Sequence, residues 1–166
     1  MKDRTDEEAG KKVLYKTKGE GRRSIALYSH PISMAMDVTF RWATEKDAGA
    51  ILGLVRELAE FEKELDKVKT TEVDFARDLS LGHFVCVLAV VNERDTKDQE
   101  AVGMEAVGMA LLHNRYSTWD GLCVHLEDLY VKPEHRSAGV GKRLIECCVK
   151  HARETGSRRL CWEVRS

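Results

Sequence analysis

No stretch of this sequence stays apolar for long. The longest run, Phe84 to Val91, falls far short of the roughly 20 residues a membrane helix needs, so no membrane is expected as a partner. Charge of one sign is also lacking: 27 Lys and Arg face 28 Asp and Glu, a formal net charge of −1. No global field gathers nucleic acid or an anionic surface, and any basic site must be local. The five cysteines (Cys86, Cys123, Cys147, Cys148, Cys161) are odd in number and contain no C-x-x-C pair, which argues against a disulfide framework or a four-ligand zinc site. Reduced, buried thiols in a soluble cytoplasmic protein are the expectation. The six histidines (His30, His83, His113, His125, His135, His151) show no zinc-ligand spacing, so no metal is expected either.

What is present is one domain's worth of chain with a tail. Residues 1–36 mix charged residues, Gly and Ser with little periodic apolarity, which predicts a flexible extension. The domain, 37–166, opens with a strand over Val38 to Trp42. Thr44 followed by Asp47 is a capping signal. Ile51, Leu54, Val55, Leu58, Ala59 and Leu65 then form one apolar helical face running to about Glu64. A second capping pattern, Thr71 with Asp74, opens a short helix through Phe75 and Leu79 that Gly82 stops. Phe84 to Val91 reads as a strand covered on both faces.

A polar loop, Asn92 to Gln99, leads into a tandem repeat in which Glu100-Ala101-Val102-Gly103-Met104 is followed by Glu105-Ala106-Val107-Gly108-Met109. Five is odd and strand side chains alternate with a period of two, so both copies cannot occupy one regular strand with the same side chains inward. The second copy, continuing to Leu112, is expected to be strand and the first to lengthen the loop. Asn114 to Gly121 should form a turn.

The chain is organised around Leu126 to Leu144, LEDLYVKPEHRSAGVGKRL. A strand from Cys123 to Val131 carries two adjacent carboxylates. Alternation puts Glu127 and Asp128 on opposite faces, which favours Glu127 for chemistry and a structural role for Asp128. Past Pro133 come Arg136, Gly139 and Gly141, then a helix starting near Gly139 with Val140, Leu144, Ile145, Cys148, Val149 and Ala152 on one side, ending at Gly156. A last strand covers Arg159 to Val164 and runs parallel to the central one, with a ligand crevice at their carboxyl ends. Small residues at a helix N-terminus make an anion site. A Walker loop does not fit, because its first glycine would fall at Arg136 and its Ser or Thr at Arg143. A dinucleotide fingerprint fails at Leu144.

The remaining pattern, R-x-x-G-x-G after an L-E-D-L-Y-V strand, resembles the acyl-coenzyme A loop of the GNAT acetyltransferase superfamily. With Glu57-Leu58-Ala59-Glu60-Phe61-Glu62 and Tyr116-Ser117-Thr118-Trp119 in the same order, it resembles the diamine (spermidine/spermine and thialysine) N-acetyltransferase branch over roughly Val38 to Val164. The resemblance implies an α/β (α+β) fold, a GNAT-like mixed sheet with helices on both faces in the order β-α-α-β-β-β-α-β. It implies acetyl-CoA as co-substrate and a small polyamine or lysine-like amine as acceptor. The backbone of Leu129, Tyr130 and Val131 would hold the pantetheine arm, and Arg136, Ser137, Ala138, Gly139, Val140, Gly141 and Lys142 the pyrophosphate. Glu127 would be the catalytic carboxylate and substrate contact, with Phe61 and Glu62 lining the amine site. Ser137 departs from the glycine usual in this branch.

The resemblance also implies a C-terminal helix and strands, and a tyrosine that protonates the leaving thiolate, beyond Arg165 and Ser166. Their absence reads as a truncated chain, and it weakens the homodimer that the family implies. Two alternatives stand beside the diamine enzyme: a non-catalytic CoA-binding or interaction module, and an acetyltransferase of peptide lysines.

Overall fold

The computed structural model describes residues 15–16, 38–94 and 101–163. Six strands form one mixed sheet: β1 (Tyr15–Lys16), β2 (Val38–Trp42), β3 (Val85–Arg94), β4 (Ala101–Ser117), β5 (Gly121–Val131) and β6 (Arg159–Trp162). Their spatial order is β1-β6-β5-β4-β3-β2, with β6 parallel to both its neighbours and the rest antiparallel. Apart from the two-residue β1, the extension expected at 1–36 lies outside the described residues.

Three helices cover the sheet: α1 (Ala48–Phe61), α2 (Glu72–Ser80) and α3 (Val140–Glu154). Alternation along β3 divides the core. Val87 and Ala89 face α3 together with Leu112, Val124, Leu144, Cys148 and Leu160. Leu88 and Val90 face α1 and α2 with Ile51, Leu54, Phe75, Met109 and Tyr130. Leu88, Leu144 and Leu160 are completely buried, each worth about 1.5–3 kcal/mol relative to exposure.

The capping signals are in place. Thr71 accepts from the Asp74 amide while Asp74 accepts from the Thr71 amide at 3.0 Å, opening α2. Asp47 accepts from the Thr44 amide at 2.8 Å, but the turn it closes, Glu45–Asp47, is a 3-10 turn that runs into α1. α1 stops three residues before the expected Glu64, because Lys63 takes a left-handed backbone (φ 62°) and the Glu64 amide folds back onto the Ala59 carbonyl. β6 ends at Trp162 rather than Val164 within the described residues.

The tandem repeat behaves differently from the expectation. Its first copy is not loop: Ala101, Gly103 and Met104 pair with Arg94, Glu93 and Asn92, extending β3 and β4 beyond the expected loop start. The parity argument fails because the strand is not regular. Ala89 pairs with Gly108 and Val90 with Ala106, so Val107 is the extra residue of a β-bulge. One inserted residue turns an odd spacing into an even one. Met104 and Met109 therefore pair with Asn92 and Leu88, two positions on the same face of β3. The expected turn at Asn114 is likewise strand as far as Ser117, leaving 118–120 to reverse the chain.

Candidate active site

The parallel pair β5 and β6 runs in register from Cys123↔Arg159 to Leu126↔Trp162 and goes no further. β5 continues to Val131, so its edge from Glu127 to Val131 has no strand neighbour on the β6 side among the described residues. On its other edge β5 is bulged: Leu111 pairs with Asp128 and Leu112 with Leu126, leaving Glu127 as the extra residue. Two residues at a bulge share a side, so the expectation that Asp128 points away from Glu127 is overturned. Both carboxylates line one crevice of about 970 Å³ with Leu58, Glu62, His113, Arg115, His125 and Glu163. The bulge also reverses the facing downstream. Val124 and Leu126 pack toward α3, whereas Tyr130 packs toward α1 and is 6% exposed. Burial, then neighbouring Glu57, hold the Tyr130 hydroxyl above its ordinary pKa.

The hairpin of β4 and β5 brings together residues that sequence separation kept apart. His113 lies directly opposite His125, and the two rings are 5.0 Å apart between centroids. Glu127 reaches back between them. Its Oε2 is 3.3 Å from Nε2 of His113 and 3.6 Å from Nε2 of His125. The other nitrogen of His113, Nδ1, lies 3.2 Å from the Asn114 carbonyl and donates to it. His125 is buried, and its Nδ1 has no partner. Burial and then His113 hold the His125 pKa below its ordinary value, with Glu127 opposing. Counting outward from a turn at 118–120 would have paired these histidines; spacing along the chain alone could not.

The loop after β5 leads into the N-terminus of α3. A 3-10 turn, Pro133–His135, follows Lys132, and Gly139 caps α3 from a left-handed conformation (φ 80°). The amides of Arg136 and Arg143 donate to the carbonyls of Pro133 and Gly139. Between them the amides from Ser137 to Gly141 span a turn and the first turn of α3, the donors that a helix N-terminus leaves without intrahelical partners. A Cβ built on Gly139 meets nothing within 4 Å, and one on Gly141 meets only Val131 Cγ2 at 3.8 Å. These glycines are not demanded by the fold's own packing beside them; they leave open a row of donors at a helix N-terminus, which suits a pyrophosphate. Ser137 holds φ 64°, the left-handed conformation that glycine would adopt without strain.

Arg136 makes contacts of its own with the end of β5 and with α1. Its Nε donates to the Val131 carbonyl at 2.8 Å, and its guanidinium lies 5.2 Å from the Phe61 ring centroid and 5.7 Å from that of Tyr130. It ties the end of α1 to the end of β5. Phe61 is 68% exposed there, and Glu62 follows as the C-cap of α1, lining the crevice. Leu129 is half-exposed on the open edge. Lys142, on the first turn of α3, faces Glu146. The thiols are all free, and burial pushes those of Cys86 and Cys148 up to about 12, so neither supplies a thiolate at neutral pH. No helix among the described residues is long and apolar enough to cross a membrane.

The mixed sheet and its covering helices are shared with solved acetyltransferases. An aminoglycoside N-acetyltransferase solved in complex with CoA shares the fold with a TM-score of 0.58 at 18% identity, over 81% of this chain and 82% of that one. The family itself is read from sequence. Residues 51–166 match the acetyltransferase (GNAT) family, and the chain belongs to it. It is 40% identical to the thialysine N-epsilon-acetyltransferase of Bos taurus over 123 residues, 74% of this chain and 72% of that protein. It is also 34% identical to the spermidine/spermine N(1)-acetyltransferase-like protein 1 of Homo sapiens over 109 residues, 64% of this chain and 15% of that one.

Proposed function

We propose that this chain transfers the acetyl group of acetyl-CoA to the amine of a small cation of the polyamine or lysine-like class. The observation that carries the reading is the β5 edge from Glu127 to Val131, which has no strand neighbour on the β6 side among the described residues and leads directly into the glycine turn and first turn of α3. Acetyl-CoA supplies the activated acyl group as a thioester. The amides of Ser137 to Gly141, with Lys142 beside them, hold its pyrophosphate, and the backbone of Leu129 to Val131 aligns its pantetheine arm as an added strand would lie. Arg136 fixes Val131 and so sets the height of that edge.

The acceptor side is acidic. Glu62, Glu127, Asp128 and Glu163 line the crevice against a single arginine, Arg115, so an ammonium group is favoured over an anion. An ammonium cannot attack; it must first lose a proton. Glu127, half-exposed at the bulge and nearest the point where the strands part, accepts it directly or through water. The thialysine and polyamine names of the relatives agree with an acceptor of this kind.

Gly141→Asp tests the cradle. In the free protein the new side chain starts in open space and places an acid in the first turn of a helix, where the dipole favours it. Stability should be kept. Acetyl-CoA at about 100 times its Kd should stabilise the wild type by ~2.7 kcal/mol, and the variant should lose that shift. A full shift in the variant removes the loop assignment, and absence of acetyl transfer to thialysine or spermidine by the wild type removes the reading of function.

A further inference from the structure

The His113, His125 and Glu127 cluster does more than the acetyl transfer requires. His113 donates from Nδ1 to the Asn114 carbonyl, so in its neutral form the lone pair sits on Nε2, aimed at a carboxylate oxygen 3.3 Å away. A proton or a metal ion can bridge that contact. His125 presents its own Nε2 at 3.6 Å from the same oxygen, while its buried Nδ1 has no partner. Two of the three spacings, 3.3 and 3.6 Å, are close to those of a coordination shell. With metal bonds of about 2.0–2.1 Å, tetrahedral ligands stand about 3.3 Å apart. One ligand atom from each of the three residues falls within 4.8 Å of the others.

We propose that His113, His125 and Glu127 form a binding site for one divalent transition-metal ion of the zinc class, with the fourth position open to the crevice. Two imidazoles and one carboxylate are a donor set that suits zinc and cobalt and disfavours magnesium or calcium, which take oxygen shells. The Asn114 carbonyl acts on His113 as outer partners do in metal centres, fixing the tautomer that leaves Nε2 available. Glu127 belongs both to this site and to the acceptor site. The ion therefore occupies the place of the substrate ammonium, and the enzyme's amine site is closed by it. This last consequence rests on the acetyl-transfer reading; the metal site does not.

The test uses the full chain, stripped of metal with a chelator. Zinc titrated calorimetrically should bind at one equivalent per chain, and cobalt(II) should show the visible bands of a tetrahedral ion without a thiolate charge-transfer band. His113→Ala, at a half-exposed position, and Glu127→Gln should each weaken zinc at least about tenfold while melting near the wild-type temperature in its absence. Loss of the cobalt bands in both variants supports the site. No binding by the wild type up to about a hundred micromolar free zinc, roughly −5.5 kcal/mol, overturns it. So does binding that both variants retain, which would assign the metal to the cysteines. In the acetylation assay, zinc should raise the KM for the amine and leave that for acetyl-CoA unchanged. If the metal binds as described but no amine is acetylated at any metal concentration, the proposed function fails and the metal site stands.

Discussion

Gly108→Ala places one methyl group where three elements meet, and its effect can be worked from the contacts. A Cβ at Gly108 would lie 2.9 Å from the Tyr130 carbonyl oxygen, 3.3 Å from Val131 Cγ2 and 3.4 Å from Leu144 Cδ1. The side chains of Val131 and Leu144 can give by a few tenths of an ångström. The carbonyl cannot, because it is main chain paired to β4, so β5 must move away from β4 beyond the end of its pairing with β6. Overpacking of this kind costs roughly 1–3 kcal/mol, which for a chain of this size lowers the Tm by about 2–12 °C. The same displacement falls on Tyr130 and Val131, so acetyl-CoA binding should weaken as well. Gly53→Ala is the control: it lies in α1, its Cβ meets nothing within 4 Å, and it should gain ~0.5–1 kcal/mol from helix propensity. Thermal unfolding followed by circular dichroism, with and without acetyl-CoA, reads both effects. A Gly108→Ala protein that melts at or above the wild-type temperature and keeps the full acetyl-CoA shift would refute the reasoning.

Two further outcomes follow from the geometry. Ser137→Gly relieves a left-handed backbone at φ 64°, a strain of roughly 1–2 kcal/mol partly offset by the greater freedom of glycine in the unfolded chain; the net gain should be about 1 kcal/mol in urea unfolding, with acetyl-CoA binding retained. Asp47→Asn removes a charged acceptor that receives Arg41 at 2.7 and 2.9 Å and the Thr44 amide, and should cost about 1.5–3 kcal/mol at pH 7. The sign with pH follows from the Arg41 hydrogen bond, which chiefly holds the Asp47 carboxyl well below the usual carboxylate range. Its stabilisation is present above the unfolded-state value near 4 and is lost as pH falls through the folded one. The gap between wild type and variant should therefore narrow steadily below about pH 4; a gap unchanged at pH 3 would mean that the carboxylate's charge is not what holds β2 to the start of α1.

Some of this architecture was legible because its causes are local. Thr71 and Asp74 cap α2 through their own side chains, and Gly82, Gly139 and Gly156 stand where the backbone turns left-handed after or before a helix. The apolar spacing of Ile51, Leu54, Val55 and Leu58 fixes which face of α1 is inward, since helical period and burial are both read from neighbours a few residues apart. The R-x-x-G-x-G segment is one continuous run, and the amides it exposes belong to that run.

What failed to show in the sequence involves two strands at once. Bulges at Val107 and Glu127 exist only against a partner's register. They changed the facing of the repeat and of Asp128, because a single unpaired residue reverses a period of two.

The chain by itself therefore determined the order of elements from β2 onward, the helix boundaries to within a few residues, and the glycine turn at the start of α3. Each depends on interactions spanning a few positions. Only the tertiary structure decided that Asp128 shares a crevice with Glu127, that Arg136 donates to the Val131 carbonyl, and that His113 meets His125 across a hairpin. The last two join residues five and twelve positions apart, and it is strand pairing and helix packing, not sequence distance, that sets which side chains touch.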